Sequence, residues 1–439
     1  MRAAERVLGR QYWSAMDHQA GSDRFLIRPG PPLAGTVRVS GAKNSVLKLM
    51  AACLLAEGRH HLRNVPRIVD VDIMSELIGA LGVGVAWDGD HDLVVDVPPD
   101  LTPEAPFELV KRMRASIVVL GPLLAKHGWA RLSMPGGDDF GSRPVDYHLH
   151  GLESMGTTFE LTEDRLEGRA GHLLGTHLVL EYPSHTTTDN LLMAACLAKG
   201  TTVIENAARE PEVSDLACFL NRMGAQVHGA GTSRIEIEGT DRLRPAEHHV
   251  IPDRVEAATF LAAVGMAGGD VVVEGARPEH MNMLLAKLEE VGLELSAVPG
   301  GIRAVAPPRL RAADVSTLPY PGVATDYKPL LVTMLTVAEG AGIVTENLYS
   351  GRFRYLDELR RMGADVRTEG HHALVRGVPR LQGAEVRASD IRAGAALVIA
   401  GLAAEGSTVV VDGGHHVDRG YEDLRGKLAG LGADVSRVP

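Results

Sequence analysis

The run LLMAACLAKG followed by TTVIENA, residues 191–207, sets the plan of the chain. Its first part is apolar or small on every side and closes on Gly200, which reads as a helix enclosed by other elements. Its second part, rich in Thr, Val and Ile, reads as a strand. The same pair recurs at LMAACLLAEG-RHHLRNV, LGPLLAKHG-WARLSM, FLAAVGMAGG-DVVVEGA, LLVTMLTVAEG-AGIVTENL and LVIAGLAAEG-STVVVDG. The closing glycines are Gly58, Gly128, Gly200, Gly269, Gly340 and Gly406, at intervals of about 70 residues. A shorter amphipathic stretch follows each pair and ends on Gly82, Gly156, Gly224, Gly292, Gly363 or Gly432, where a helix C-terminus favours a left-handed residue.

The unit is therefore buried helix, strand, amphipathic helix, strand, six times over. Helices apolar all round must be wrapped by others, so three units per domain with their strands outside is the expected packing, in an α/β fold. A linear solenoid is the rival arrangement, and the irregular insertions between helix and strand speak against it. A chain of 439 residues with 45% hydrophobic content is too long for one core and long enough for two. The Pro- and charge-rich stretch GTDRLRPAEHHVIPDR, residues 239–254, is the expected crossover between them.

A net charge of -11 argues against nucleic acid as a partner, because binding a phosphate backbone needs a basic surface. No apolar run reaches the length of about 20 residues that a membrane span needs, and the N-terminus lacks an apolar signal core, so a cytoplasmic protein is expected. Residues 1–22 are read as a disordered extension outside the fold, with Met16 as an alternative start to Met1. Cys53, Cys196 and Cys218 stand in apolar helical stretches without metal-ligand spacing, and all three read as buried, reduced thiols.

Chemistry concentrates in turns. Residues 136–146, GGDDFGSRPVD, put an acid, a fixed cation and a second acid on one glycine-hinged loop. Arg143 offers a planar fork for phosphate or carboxylate, and Asp138 could exchange a proton with what the fork holds. Gly-Asp clusters are commonly no more than solvated turns, so the rest of the chain must support the reading. It does. SGAKNS places Lys43 and Asn44 before the first buried helix, KRMRAS places Arg114 before the second, and ATDYKP places Asp326 before the fifth. SGRFRY supplies Arg352, SDIRAG supplies Asp390 and Arg392, and VDRGYED supplies Arg419. Each alone reads as a cap or a surface ion pair. Recurring beside helix N-termini in both halves, they would focus positive potential on one cleft for a small polyanion.

The segments SGAKN, MRASI-x-x-LGPLLA, PGG-x4-SRPVD-x-H, ENAAREPE, IPDR-x-EA-x-TF, TD, RF, SDIRAGAALV and DRGYE follow in order from about Arg28 to the C-terminus. Together they resemble the enolpyruvyl transferases. The resemblance implies a two-domain inside-out α/β barrel of six repeats, three per domain. Residues 23–43 with 251–439 would form one discontinuous domain, and residues 44–250 the other, carrying a mobile loop at 134–146. It implies transfer of the enolpyruvyl group of phosphoenolpyruvate to the 3-hydroxyl of a uridine nucleotide sugar, UDP-N-acetylglucosamine, in peptidoglycan precursor synthesis. Phosphate would leave through a tetrahedral intermediate, with no cofactor or metal.

By the same resemblance, Lys43, Arg143 and Arg419 would hold the donor phosphate, and Arg352, Arg392 and Arg419 its carboxylate, with Asn44 beside them. Asn44 and Arg114 would line the junction with the acceptor sugar. Arg143, Pro144, Val145, Asp146 and Tyr147 would hold the uridine, and Ser184, His185, Asp326 and Leu348 would complete the nucleotide-sugar site. Asp326 would take the proton of the acceptor hydroxyl and Asp390 would support the tetrahedral centre, while Asp138 would protonate the methylene carbon. Asp138 stands where most relatives carry the cysteine that the epoxide fosfomycin alkylates, so resistance to fosfomycin is expected.

The acceptor side departs from the family pattern. Tyr182, His185 and Thr186 replace a lysine and a Val-Gly pair that cradle the acceptor diphosphate, and Lys328 replaces a glutamine. His185, Thr186 and Lys328 are candidate substitute phosphate donors, and another acceptor such as UMP is the alternative. The shikimate-pathway enzyme of the same fold is disfavoured by SGAKN and RPVD. A non-catalytic nucleotide-sugar sensor would be expected to have lost Asp326 or Arg392.

Overall fold

The computed structural model describes residues 24–137, 145–162, 165–349 and 351–439, and has an α/β fold. The punctuating glycines fall where helices and strands meet. Those between the buried helices and the strands have φ from 72° at Gly128 to 125° at Gly269, and those after the amphipathic helices from 86° at Gly363 to 109° at Gly292. L-residues resist this region, so glycine lets the chain leave each helix without strain.

The strands between them share one pairing order. Gly58–Arg63 pairs antiparallel with Leu93–Val97, which pairs antiparallel with Gly84–Trp87, while Glu247–His249 joins Gly58–Arg63 in parallel. Thr201–Glu205, Arg234–Glu238 and Gln226–His228 repeat this order, with His177–Val179 in parallel. Gly269–Glu274, Gly301–Val305 and Glu294–Val298 do so with Leu33–Arg38. Near the C-terminus the middle place is taken by Arg24–Arg28, between Thr408–Val411 and Asp434–Val438. The two ends of the described chain are thereby joined in one sheet.

Buried apolar side chains form two clusters. One draws on residues 25–39 and 255–435, the other on residues 42–250. In the first, the helices Arg254–Ala267, Lys328–Leu335 and Ile391–Leu402 pack on one another, and all of Ile391–Leu402 is buried. In the second, Leu120–His127 packs on His185–Ala195, and the 3-10 turn Arg114–Val119 lies against both His185–Ala195 and Lys43–Cys53.

The chain passes between the clusters twice, and the two passages lie side by side. Ala42 N donates to Ile251 O at 2.7 Å, and Asp253 N donates to Ser40 O at 2.9 Å. Asp253 caps Arg254–Ala267 by accepting from Val255 N and Glu256 N, and its other oxygen accepts from Lys43 N at 3.0 Å. One carboxylate thus fixes the starts of two helices on opposite sides of the junction.

One cysteine departs from expectation. Cys53 and Cys196 are buried, and burial pushes the Cys196 thiol up to about 12, but Cys218 is exposed. Its helix, Pro211–Met223, is amphipathic, and position 218 falls on its outer face between buried Ala217 and Phe219. No described helix is long and apolar enough to cross a membrane. The extension 1–22 lies outside the described residues.

Candidate active site

A cavity of about 130 Å³ opens between the two clusters. From the second come Lys43, Asn44, Lys48, Asp70, Arg114 and Thr186; from the first come Asp326, Arg352, Asp390, Arg392 and Arg419. Helix starts supply many of these side chains. Lys43 opens Lys43–Cys53, Thr186 lies in the first turn of His185–Ala195, and Arg392 lies in the first turn of Ile391–Leu402. Asp390 caps the first turn of Ile391–Leu402 by accepting from Arg392 N and Ala393 N, each at 3.0 Å. Helix N-termini carry partial positive charge and unpaired N–H groups, so the walls favour an anion before any side chain is counted.

The cations are arranged in two groups, each closed by a carboxylate of the chain. Asp70 Oδ2 lies 2.7 Å from Lys43 Nζ, and Asp70 Oδ1 lies 2.9 Å from Arg419 Nε. All three are buried, and Asp70 comes from the opposite cluster to Arg419. Burial lowers the Lys43 pKa; Asp70 opposes this, and Arg392 and Arg419 add to it.

In the second group, Asp326 Oδ1 lies 2.8 Å from Arg352 Nη1, and Asp326 Oδ2 lies 3.3 Å from Arg392 Nε. Burial works to raise the Asp326 pKa, but Arg352, Arg392 and Lys43 reverse this and hold it far below the usual carboxylate range. Arg352 also donates to Thr325 Oγ1 at 3.0 Å. Arg392 stacks 5.3 Å from the Tyr421 ring centroid, and its Nη1 is buried without a hydrogen-bond partner among the described residues.

Of the residues singled out in the sequence, Lys43, Asn44, Arg114, Asp326, Arg352, Asp390, Arg392 and Arg419 meet at this cavity. Asp138, Arg143 and Pro144 lie outside the described residues. Val145, Asp146, Tyr147, Ser184, His185 and Leu348 are not in its wall. Val145 is buried, Asp146 and Tyr147 open the helix Asp146–Ser154, and Leu348 N donates to Glu346. Lys328 is corrected as a phosphate donor. It is fully buried, 2.8 Å from Glu346 and 4.0 Å from the Phe353 ring, and donates to the Arg352 carbonyl. Its helix turns this side chain into the first core, away from the cavity.

Sequence reasoning missed Asp70 and Lys48. Lys48 is a charged residue in an otherwise apolar helical pattern, SVLKLMAAC, and that misfit was the available signal; Asp70 shares an amphipathic first turn with Asp72, and nothing in the sequence set it apart. It also missed a second polar layer. Arg254 Nε lies 2.9 Å from Glu212 Oε1 across the junction, and Arg254 Nη1 donates to Tyr327 Oη at 2.9 Å, beside Asp326. Lys48 Nζ and His185 Nε2 lie 3.7 Å and 3.4 Å from the buried Asp189. Among the described residues no group of three His, Cys, Asp or Glu is placed to hold a metal ion.

The family model for EPSP synthase (3-phosphoshikimate 1-carboxyvinyltransferase) matches residues 27–428. A UDP-N-acetylglucosamine 1-carboxyvinyltransferase of Halalkalibacterium halodurans is 48% identical over 418 residues, covering 95% of this chain and 94% of that protein. One from Thermodesulfovibrio yellowstonii is 46% identical over 417 residues, covering 95% and 100%. Among solved structures, the enolpyruvyl transferase NikO from Streptomyces tendae superposes with a TM-score of 0.86 at 27% identity, over 95% of this chain and 99% of NikO. EPSP synthase from Acinetobacter baumannii shares the fold, with a TM-score of 0.72 at 19% identity over 95% of this chain and all of that one.

Proposed function

The chain belongs to the EPSP synthase family, and we infer that it is an enolpyruvyl transferase acting on UDP-N-acetylglucosamine. It moves the enolpyruvyl group of phosphoenolpyruvate to the sugar 3-hydroxyl, releasing phosphate, in peptidoglycan precursor synthesis. The observation that carries this reading is the pair of cation sites at one cavity, Lys43 with Arg419 and Arg352 with Arg392, each closed by the chain's own carboxylate. A donor bearing one phosphate and one carboxylate matches two such sites.

Lys43 and Arg419, with Arg143, take the phosphate in place of Asp70. Arg352 and Arg392 take the carboxylate in place of Asp326. The exchange frees Asp326 from the cations that depress its pKa, so donor binding itself prepares the base. Asp326 then accepts the proton of the acceptor hydroxyl as its oxygen bonds to C2 of the donor, and Asp138 delivers a proton to C3, giving a methyl group. In the second half the bond from C2 to the phosphate oxygen breaks, the methyl group gives a proton back to the Asp138 carboxylate, the enol ether forms, and the proton held by Asp326 leaves with the phosphate. Asp390 fixes the helix start that presents Arg392 to the tetrahedral centre. Asn44 and Arg114 line the side where the acceptor sugar enters, and residues 143–147 with Ser184, His185 and Leu348 receive the nucleotide.

The two apolar clusters correspond to two domains, 23–43 with 251–439 and 44–250, each an inside-out α/β barrel of three repeats. The recurring strand order and the glycine positions support this reading. The enzyme works in the cytoplasm. Phosphate release from phosphoenolpyruvate, followed against a panel of uridine nucleotides, tests the assignment. Release that requires UDP-N-acetylglucosamine supports it, and release with UMP instead moves the acceptor.

A further inference from the structure

The helix His185–Ala195 starts at the cavity wall: Thr186 lines the cavity, and His185 keeps 20% of its side chain exposed. One turn behind, Asp189 is wholly buried, and neither of its carboxylate oxygens has a hydrogen-bond partner among the described residues. His185 Nε2, 3.4 Å away, is likewise buried and without a hydrogen-bond partner. Lys48 Nζ stands 3.7 Å from Asp189 and donates to the Asn44 carbonyl. A buried carboxylate held only by ion-pair contacts of 3.4 and 3.7 Å, with no well-formed hydrogen bond, is costly and needs an explanation.

The charges around this pair come from four other segments. Lys48 lies on Lys43–Cys53, Glu210 and Glu212 at the start of Pro211–Met223, Arg254 on Arg254–Ala267, and Asp326 before Lys328–Leu335. Burial, then Lys48 and Arg254, outweigh Glu212 and Asp326 and hold the His185 pKa at about 3. Burial, helped by Glu210 and Glu212 against Lys48, raises Asp189 to about 7. Without a ligand, the imidazole is neutral and the carboxyl titrates near neutrality.

We propose that His185 and Asp189 form a proton-taking pair for the acceptor, drawing one proton from solvent when a phosphate-bearing nucleotide seats at the start of their helix. In the bound state His185 is an imidazolium, with Nε2–H facing the Asp189 carboxylate and Nδ1–H facing the phosphate. The helix N-terminus favours the anion, and the imidazolium is stabilised between two anions. This rests on the acceptor reading above.

The direction with pH follows. At pH 8 the empty pair is carboxylate and neutral imidazole, so the bound pair has gained about one proton. At pH 6 Asp189 already carries the proton, and binding only moves it to His185, so net uptake is near zero.

Calorimetric titration of the full chain with UDP-N-acetylglucosamine, without phosphoenolpyruvate, in buffers of different ionisation enthalpy measures this uptake directly. The expected result is about one proton at pH 8 and less than about 0.3 at pH 6. Asp189→Asn should still bind and take up less than about 0.3 at pH 8; His185→Gln should bind more weakly and, at saturating nucleotide, take up equally little. Wild-type binding at pH 8 without uptake, or full uptake retained in both variants, overturns the pairing and leaves the acceptor reading intact. No binding of the nucleotide by the folded wild-type chain overturns both.

Discussion

Asp326 Oδ1 lies 2.8 Å from Arg352 Nη1, so the base we assign to the acceptor hydroxyl is held by a cation we assign to the donor. The same geometry makes the ligand-free carboxylate a poor proton acceptor, and on the proposed reading donor binding releases it. A site wired in this way loses chemistry when either partner is changed, but in different terms of the rate law.

Asp326→Ala should lower turnover by roughly a hundred- to ten-thousandfold, the usual range for a general base. Affinity for the nucleotide should stay within about tenfold, since the loss falls on the transition state. Turnover near wild type would move the base elsewhere.

Arg352→Gln removes a charged donor from the carboxylate subsite, and KM for phosphoenolpyruvate should rise roughly ten- to a hundredfold. The Asp326 pKa should rise with it. Steady-state kinetics with each substrate varied in turn check this: an unchanged donor KM would contradict the assignment.

The depressed pKa of Asp326 also bears on stability. A carboxyl whose folded pKa lies below its unfolded value contributes stability that is present above about pH 4 and fades as pH falls through the folded value. Denaturant unfolding of Asp326→Asn should therefore show a deficit near neutrality that narrows toward pH 2; a gap constant with pH would mean the arginines do not set it.

Lys328 faces Glu346 inside the first core. Lys328→Met strands part of a buried pair and should cost roughly 3 kcal/mol of stability, read as a lower melting temperature. Glu346 keeps Thr317, Thr325 and Leu348 N as donors, which limits the damage. Nucleotide affinity should change less than about threefold, within the spread of substitutions remote from a ligand; a larger loss would restore Lys328 as a phosphate ligand.

A carboxylate at position 138 is a far weaker nucleophile than a thiolate. The chain should resist fosfomycin, and Asp138→Cys should become sensitive while keeping some activity. Cys53 and Cys196 are buried and offer no substitute. Cys218 is exposed, so intact-mass measurement needs peptide mapping to show that any adduct lies at position 138. A wild-type adduct there, or none on Asp138→Cys, would show that the loop is misaligned.

Glycines made the plan of the fold readable, because a left-handed residue at a helix end is a local demand that one amino acid satisfies best. The Lys43, Arg352, Arg392 and Arg419 positions were readable for a similar reason: each sits in a turn or beside a helix start, where an ion has little structural work to do. Asp70 was not, because its partners Lys43 and Arg419 are set by packing between elements far apart in the chain, and Asp189 was not, because its burial and its contact with Lys48 are set in the same way. Cys218 and Lys328 show the same limit at single positions. An apolar neighbourhood says that a helix is buried, but not which way one of its residues turns.

The central claim is that this chain adds and eliminates at the enolpyruvyl carbon with UDP-N-acetylglucosamine as acceptor. Incubation with both substrates in deuterium oxide, followed by mass spectrometry of the nucleotide product, tests it most directly. The account requires an enolpyruvyl ether of UDP-N-acetylglucosamine, formed one for one with phosphate, and deuterium in its methylene group from the passage through a methyl intermediate. Phosphate release without that product, or a product whose methylene carries no deuterium, would contradict it.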